Sequence, residues 1–420
     1  MWTKIRAWST RNKAGCSSPV KYKHLDPILG FDLLAKKIKY TKAGNLLALD
    51  DELFAKYGKT LHTLLFGRNH WMTMDPLMIQ TVAATQADKF GSAPSNRKPD
   101  GLLLGDGAFT TDGHIWKRSR ELLQPVFSRS QVSQLSGLES HLQRFLERIP
   151  RDGSTIDIQP LAQGLFLDSS MEFIFGKSSG SLSPSEQCVY LFYYIDEEIK
   201  FQKQSKLPGA SSKLTHGSSG YQHVLLKKLV TKYPDDKTLI RNELMNAFFA
   251  ARDSVGTVTS SMLSLLARSP ESWGKLTEKV AAIAPEQELT FDASTNLSCR
   301  SSLEDMLIHL YPTTWWWEVG ERPYFTTTRR PNRADGDDAS EFNPDRMVRL
   351  KHSWKFITFS GGRRTCPAQQ NAYTDMAYFL ARMVQEFKTI HNRDDCIEYV
   401  EEYVMTKSSR NGVKVAFSVK

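Results

Sequence analysis

Apolar residues recur at helical spacing through most of the chain. In residues 135–149, leucines, Phe145 and Ile149 return every three or four positions and form one apolar stripe, and Pro150 follows where the helix has to end. Strand-like alternation is rare by comparison, and the Gly/Ser-rich residues 205–221 are typical of a loop. The pattern predicts a mainly α fold with a small β-sheet region.

The pattern of residues 237–270 predicts a second long helix, one face of which carries only small side chains. Small side chains at this face permit either the close approach of another helix or contact with a flat, wide ligand, and both interpretations stay open. Asp253 and Ser254 are weak helix formers in the middle of this segment, which favours a functional site or a bend. The small-residue stripe consists of Ala247, Ala250, Ala251, Ser254 and Val258.

Composition predicts one large folded unit. The chain has 420 residues, of which 40% are apolar and 11% aromatic, so it can bury a sizeable core and is not a disordered chain. No Pro/Gly/Ser linker clearly divides the helical segments, and we therefore expect a single domain over residues 1–420.

The charge balance is basic, with 55 Lys and Arg against 46 Asp and Glu and a net charge of +9. Such a surplus favours acidic partners or anionic membrane surfaces, although a scattered solvated surface has the same composition. No segment has the roughly 18 consecutive apolar residues of a membrane span, so we predict no transmembrane anchor in this chain. A peripheral membrane contact through exposed apolar loops stays open, and we predict no nucleic-acid partner.

The cysteines indicate neither disulfides nor a zinc site. They are five, an odd number, widely spaced and without a CxxC pair, which is typical of reduced thiols facing the cytosol.

One cysteine stands in a distinctive setting, the segment FSGGRRTCPAQQNA. Phe359, Gly362, Arg364 and Cys366 have the spacing F-x-x-G-x-R-x-C, and Pro367 suits the first position of the helix that follows. Glycine lets a cofactor approach the backbone, and the helix dipole and loop amides should stabilise an anionic sulfur. Arg364 can pair with an acidic group of the cofactor, so the segment predicts a haem-thiolate loop.

Trp116 and Arg120 lie four positions apart and therefore share one helix face. An indole N–H beside a guanidinium can clamp a carboxylate of a ligand. A structural ion pair between Arg120 and a nearby acid explains the same pattern, and both interpretations stay open here.

These segments together resemble the cytochrome P-450 superfamily, and within it the fungal branch that mostly hydroxylates n-alkanes and fatty acids near the chain end. The resemblance runs from HLDPILGFDLL through the Trp116 segment and LIRNELMNAFFAARDS to EFNPDRM and the cysteine loop, in the order of the family. It implies the helical fold of that family with its small sheet region, here partly truncated.

The resemblance also implies a site. Cys366 would be the proximal ligand of the haem b iron, in the loop that contains Phe359 and Gly362. Trp116, Arg120 and Arg364 would be partners of the haem propionates. Asp253 and Ser254 would be the distal pair that relays protons for O–O cleavage, with Ser254 standing where the family usually has threonine.

The implied activity is that of a monooxygenase. It would insert one atom of O2 into a C–H bond of a lipophilic substrate, either a fatty acid or alkane or a secondary-metabolite intermediate. NADPH would supply the electrons through NADPH–cytochrome P450 reductase, and the family resemblance implies the cytosolic surface of the endoplasmic reticulum.

Two departures from the family pattern favour an alternative. Met306 and His309 stand where the family has a buried Glu-x-x-Arg pair, so Arg346 is expected to lack its ionic partner. Residues 313–338, with three consecutive tryptophans, replace a longer sheet-forming segment. The alternatives are a haem-binding but catalytically impaired relative, an inactive fragment, or a scaffold that never takes up haem.

A remote alternative from another class rests on Gly176 to Gly180, which fit the G-x-S-x-G nucleophile elbow with Ser178 as nucleophile after a possible strand. The pattern is short, and no glycine-rich oxyanion segment accompanies it. Chance occurrence in a turn explains it equally well.

Overall fold

The structure is a computed structural model and describes residues 19–91, 101, 103–176, 178–182, 199–200, 224–283, 314–319, 324–328, 354, 357–396, 400–403 and 407–420. Helices dominate these residues, as the sequence predicts. They are α1 (Phe31–Lys42), α2 (Leu46–Tyr57), α3 (Pro76–Gln80), α4 (Gly113–Leu123), α5 (Arg129–Val132), α6 (Ser136–Glu147), α7 (Ile158–Phe175), α8 (Val224–Lys232), α9 (Lys237–Arg252), α10 (Ser254–Arg268), α11 (Pro270–Ile283) and α12 (Gln369–Glu386). Short 3-10 or π turns cover Thr81–Thr85, Ala87–Lys89, Gln124–Phe127 and Gly362–Arg364.

The strands of the described residues form three small sheets. The largest has the order β1-β2-β3-β7-β6-β4, in which β3 and β7 pair in parallel. The others have the orders β5-β11-β8 and β10-β9. The strands are β1 (Val20–Lys21), β2 (Thr60–Leu65), β3 (Arg68–Thr73), β4 (Phe90–Gly91), β5 (Ile156–Asp157), β6 (Thr314–Val319), β7 (Tyr324–Thr328), β8 (Phe387–Asn392), β9 (Glu401–Tyr403), β10 (Lys407–Ser409) and β11 (Lys414–Val419).

The largest core surrounds α12, which begins just after the Cys366 loop. Phe379 of α12 is fully buried and its ring lies 5.3 Å from that of Phe145 on α6 and 5.9 Å from that of Phe166 on α7. The stripe predicted for residues 135–149 is therefore confirmed as a core-facing helix surface, and burial of such aromatic rings supplies much of the packing energy. This core fixes the helix on which the cysteine loop stands.

The predicted long helix over residues 237–270 is interrupted. It forms α9 and α10 with a break at Asp253, although the amide of Thr257 still donates to the Asp253 carbonyl at 3.0 Å. The hydroxyl of Ser254 donates to the Ala250 carbonyl at 3.1 Å, and this back-bonding is a known cause of helix bending. The bend expected from Asp253 and Ser254 is thus present.

Gly256 holds α10 close to α7. A Cβ atom at this position would lie 2.7 Å from Cα of Gln163 and 2.8 Å from the carbonyl oxygen of Ala162, so a side chain would push the two helices apart. Of the small-residue stripe itself, Val258 is 6% exposed and lies in the core, which supports the helix-packing interpretation for that residue.

The tryptophan segment adopts strand structure. Residues 314–319 and 324–328 pair as an antiparallel hairpin, β6 and β7, and β7 extends the sheet beside β3. The shortened region thus still contributes strands to the largest sheet. Met306, His309, Arg346 and residues 205–221 lie outside the described residues.

The geometry required for a nucleophile elbow is not formed at Ser178. The residues before it belong to helix α7 rather than to a strand, and Gly176 ends that helix with a φ of 83°. Ser178 accepts a hydrogen bond from the amide of Gly180 at 3.1 Å, as in an ordinary turn. The strand that the hydrolase alternative predicted before Ser178 is not formed, and that prediction is wrong.

Among the described residues, none of the helices is both long enough and apolar enough to cross a bilayer.

Candidate functional site

The Cys366 loop is a tight turn closed by its own backbone. The amide of Cys366 donates to the carbonyl of Phe359 at 2.9 Å, and the Phe359 ring lies 5.0 Å from the Tyr373 ring on α12. The helix begins at Gln369, two residues later than Pro367 indicated. The sulfur therefore lies between a closed loop and the core helix α12.

Gly362 meets a steric demand that only glycine satisfies. Its φ is 65°, in the left-handed region, and a Cβ would lie 2.0 Å from the carbonyl oxygen of Ala83. At Gly361 a Cβ would lie 2.3 Å from the ring of Trp354. The loop is thus pressed against the segment that follows α3 on one side and against an indole on another.

Helix α4 brings both of its predicted site residues to this loop. Nη1 of Arg120 donates to the carbonyl of Thr365, next to Cys366, at 2.6 Å. The guanidinium of Arg364 lies over the Trp116 ring, 4.9 Å from its centroid, which is cation–π distance. Arg120 donates to a backbone carbonyl, so this contact is not the ion pair with an acid that the sequence left open.

Arg364 is the most heavily bonded side chain of the site. Nη2 donates to the Thr111 carbonyl at 2.7 Å and to Oδ1 of Asp112, and Nη1 lies 3.4 Å from the Ala108 carbonyl. Its side chain is 17% exposed, and burial lowers the pKa of the guanidinium while the Asp112 carboxylate opposes that shift. The guanidinium stays charged, since arginine begins from a very high pKa.

The expected stabilisation of an anionic sulfur is outweighed by burial in this structure. Burial raises the pKa of the Cys366 thiol, while the Ala368 amide and the charge of Arg120 act in the opposite direction. The stabilisation predicted for the anionic sulfur is present as the opposing effect of the Ala368 amide, and burial is the larger of the two causes. A bound metal cation would supply the missing positive charge and deprotonate the thiol outright.

The segment before α4 connects the cysteine loop to α9. It carries the carbonyls that bind Arg364, and the amide of Phe109 donates to Oδ1 of Asn246 on α9 at 2.9 Å. The rings of Phe109 and Phe249 are 5.6 Å apart. Asn246 also donates to the Leu104 carbonyl at 3.1 Å, so a single α9 amide fixes both ends of the segment.

Asp253 and Ser254 lie at the junction of α9 and α10, and their contacts are local. Oδ1 of Asp253 lies 3.1 Å from Nε of Arg252, and its side chain is 21% exposed. Asp253 comes directly after the last residue of α9, and Ser254 is the first residue of α10. Their relation to a bound cofactor remains a proposal.

Sequence reasoning missed Asp112 and Asn246. Asp112 is an acid directly before the helix that carries Trp116, which was a signal for an ion pair with the site arginines. Asn246 is a polar residue among apolar neighbours in a helix, and such residues usually satisfy buried backbone groups.

Comparison with known proteins identifies the family. The cytochrome P450 family pattern matches residues 31–191 and 337–415. Cytochrome P450 monooxygenase himC of Aspergillus japonicus is 30% identical, with 96% of this chain and 83% of that protein covered. Cytochrome P450 52A12 of Debaryomyces hansenii is 28% identical, with 99% of this chain and 94% of that protein covered. The chain belongs to the cytochrome P450 family.

A solved structure agrees with the fold. Cyanobacterial CYP120A1 with bound retinoic acid superposes with a TM-score of 0.74 at 17% identity, covering 96% of this chain and 100% of that chain. At this identity the likeness concerns the fold alone. The predicted mainly α fold of the P450 family is therefore confirmed.

Membership of this family implies haem with a cysteine thiolate on the iron, and the described residues fit that group. The site combines one half-buried thiol, Cys366, with two guanidinium groups, that of Arg120, which binds the loop, and that of Arg364, which belongs to it. A sulfur ligand for iron and cations for two carboxylates are the groups that haem b requires.

The glycine demand in the loop gives a test. We expect Gly362→Ala to lower the haem content of the purified chain, measured as Soret absorbance per polypeptide, because the new Cβ collides with the Ala83 carbonyl. Gly113→Ala is the matched control, since Gly113 also has a positive φ, 63°, but a Cβ there would have nothing within 4 Å. Both variants carry the backbone cost of about 1–2 kcal/mol, so equal haem loss in the two would contradict the steric argument.

Proposed function

We propose that this chain is a haem-thiolate monooxygenase that hydroxylates a lipophilic substrate, with Cys366 as the proximal iron ligand. The observation that carries the proposal is the contact of α4 with the Cys366 loop, in which Arg120 binds the Thr365 carbonyl and Arg364 of the loop lies over the Trp116 ring. When bound, haem supplies the activation of O2 for insertion into a C–H bond. NADPH would provide the electrons through a reductase.

The chain's own residues hold and orient that group. Arg120 and Arg364 would bind the propionates, with Trp116 fixing the plane of the Arg364 guanidinium and adding an indole donor. Phe359 and Gly362 shape the loop that presents the Cys366 sulfur. Because Arg364 is already bonded to Asp112, one propionate would share or replace that carboxylate.

Asp253 and Ser254 would move protons on the distal side. The bend between α9 and α10 exposes a carboxylate and a hydroxyl at one point of an otherwise continuous helix, where they can pass protons from solvent. Asp253 keeps part of its surface in water, which such a relay needs.

The proposed substrate class is fatty acids, alkanes or secondary-metabolite intermediates of similar polarity. Its support is the resemblance to the fungal alkane and fatty-acid hydroxylase branch. For the redox partner, Lys117 and Arg363 are exposed beside the site, and their positive charge suits an acidic reductase surface.

The impaired-relative alternative rests on Met306 and His309, which lie outside the described residues. It predicts haem uptake without product formation.

The spectrum of the reduced, carbon monoxide-bound chain tests the proposal. We expect a red-shifted Soret band of the thiolate type in the native chain and its loss in Cys366→Ala, because only a sulfur ligand gives that shift. Cys396→Ala is the matched control and should keep the band, since Cys396 is also a half-buried cysteine but stands outside the loop. A Cys366→Ala chain that retains the band would contradict the assignment of the ligand.

Asp253 gives a second test, with lauric acid as probe substrate and reductase supplied. We expect Asp253→Asn to slow hydroxylation about 10²- to 10⁴-fold, the usual contribution of a positioned acid, while haem content stays unchanged. Equal loss of haem and activity would make Asp253 a structural residue. A native chain with the thiolate spectrum but no turnover of any tested lipid would favour the impaired relative.

For the location we propose the membrane surface of the endoplasmic reticulum, contacted by the loop before α1 and the β2–β3 turn. The side chains of Leu25, Ile28 and Phe66 are 91%, 75% and 60% exposed, and the amide of Gly67 donates to the Leu29 carbonyl at 3.0 Å, which joins the loop and the turn. Lys21 and Lys23 are exposed directly before this apolar patch, a combination that suits anionic lipid.

Vesicle sedimentation measures this contact. We expect Ile28→Ser combined with Phe66→Ser to weaken binding to vesicles of phosphatidylcholine and phosphatidylinositol, because both changes remove apolar area that would enter the bilayer. Leu77→Ser, at a 73% exposed leucine on α3, should leave binding unchanged. Equal binding by the double variant and the native chain would exclude this patch as the contact surface.

A further inference from the structure

A buried carboxyl joins helix α4, which carries Trp116 and Arg120, to helix α9. Glu243 of α9 is fully buried, with an exposure of 0%, and so is Ser119 of α4. The Ser119 hydroxyl donates to Oε1 of Glu243 at 2.5 Å. Ser119 stands between Arg118 and Arg120, so this hydrogen bond acts on the turn of α4 that reaches the Cys366 loop.

Two neighbouring polar atoms at this contact are complementary but not bonded. Among the described residues, Oε2 of Glu243 and Nε of Arg118 are both buried and have no hydrogen-bond partner. Nη2 of Arg118 lies 3.9 Å from Oε1 of Glu243, too far for a hydrogen bond. A small movement of α4 towards α9 would let the guanidinium and the carboxylate pair.

The two protonation states of Glu243 therefore favour different arrangements. A neutral carboxyl brings no charge into the core, whereas a buried carboxylate needs its cation at short range. Burial raises the pKa of Glu243 from 4.5 to about 7, and the Ser119 hydrogen bond and the Arg118 charge oppose that shift. The change of state thus falls in the physiological range.

We propose that Glu243 is a proton-linked positioning residue, which accepts the Ser119 hydrogen bond in both states and draws Arg118 of α4 onto itself only when ionised. This movement would shift Arg120, two positions further along α4, relative to the Thr365 carbonyl that it binds beside Cys366. The consequence for haem rests on the function proposed above. The proposed movement of α4 does not depend on haem binding.

The other charged groups on the elements around α9 have separate partners. Asp168 of α7 accepts from the Ser181 amide at 2.8 Å, and Glu172 pairs with His141. On α8, burial and the like charge of Lys232 lower the pKa of Lys228, and Glu243 is not among the causes of that shift. Arg118 is accordingly the charged group of the described residues that acts on Glu243.

The sign of the pH dependence follows from the raised pKa. A carboxyl with a folded pKa above its unfolded value stabilises the folded chain at low pH, and this contribution is lost as pH rises from about 4.5 to about 7. Glu243→Gln keeps an oxygen that accepts from Ser119 but cannot ionise. We expect its thermal midpoint to exceed that of the native chain by about 2–4 °C at pH 8 and to approach it at pH 5.

Hydrogen exchange of the α4 amides tests the positioning role without haem. At pH 8, peptides from residues 113–123 should exchange at least about fivefold faster in the native chain than in Glu243→Gln, and at pH 5.5 the two should agree. Arg118→Met should move the native transition to higher pH, because it removes the cation that favours the carboxylate. Glu121→Gln, at an exposed glutamate of the same helix, is the matched control and should behave as the native chain.

Haem loss to excess apomyoglobin then measures the consequence at the site. The rate of haem loss from the native chain, divided by that from Glu243→Gln, should be larger at pH 8 than at pH 6. Any titration of Cys366 affects both chains alike and cancels in this ratio. Identical α4 exchange in the native chain and Glu243→Gln at pH 8 would overturn the proposal. A chain that never binds haem would instead overturn the proposed function and leave the exchange result to decide on Glu243.

Discussion

The burial of one guanidinium group, that of Arg364, is the constraint on which the candidate site depends. A buried cation has to be surrounded by acceptors, and Arg364 finds them in the segment before α4, in the Asp112 carboxylate and on the face of Trp116. These contacts bring the cysteine loop to the N-terminal end of α4. Arg120 closes the arrangement from the same helix, so a single charge organises residues that lie about 250 positions apart in the chain.

Burial and charge oppose each other throughout this region, and burial prevails at Cys366 and at Glu243. The thiol and the carboxyl both have raised pKa values although an arginine lies near each. The described region therefore carries two acids that favour their neutral forms until a cation comes closer. At Cys366 that cation would be the metal, and at Glu243 it is Arg118.

The interruption between α9 and α10 links fold and proposed chemistry. The Thr257 amide donates to the Asp253 carbonyl and the Ser254 hydroxyl donates to the Ala250 carbonyl, so hydrogen bonds are kept on both sides of the break. Gly256, immediately after the bend, holds α10 against α7. Tight packing of α10 against α7 therefore fixes the position of the break at which Asp253 and Ser254 stand.

The sequence by itself determined the helical class, the stripe of α6 and the loop spacing around Cys366, because periodicity and glycine requirements are local properties of the chain. It also marked the bend at Asp253. Only the tertiary structure decided that Arg364 pairs with Asp112, that burial raises the pKa of the Cys366 thiol, and that Glu243 faces Ser119 and Arg118. Desolvation and ion pairing depend on which distant segments come into contact, and a local sequence pattern does not specify those contacts.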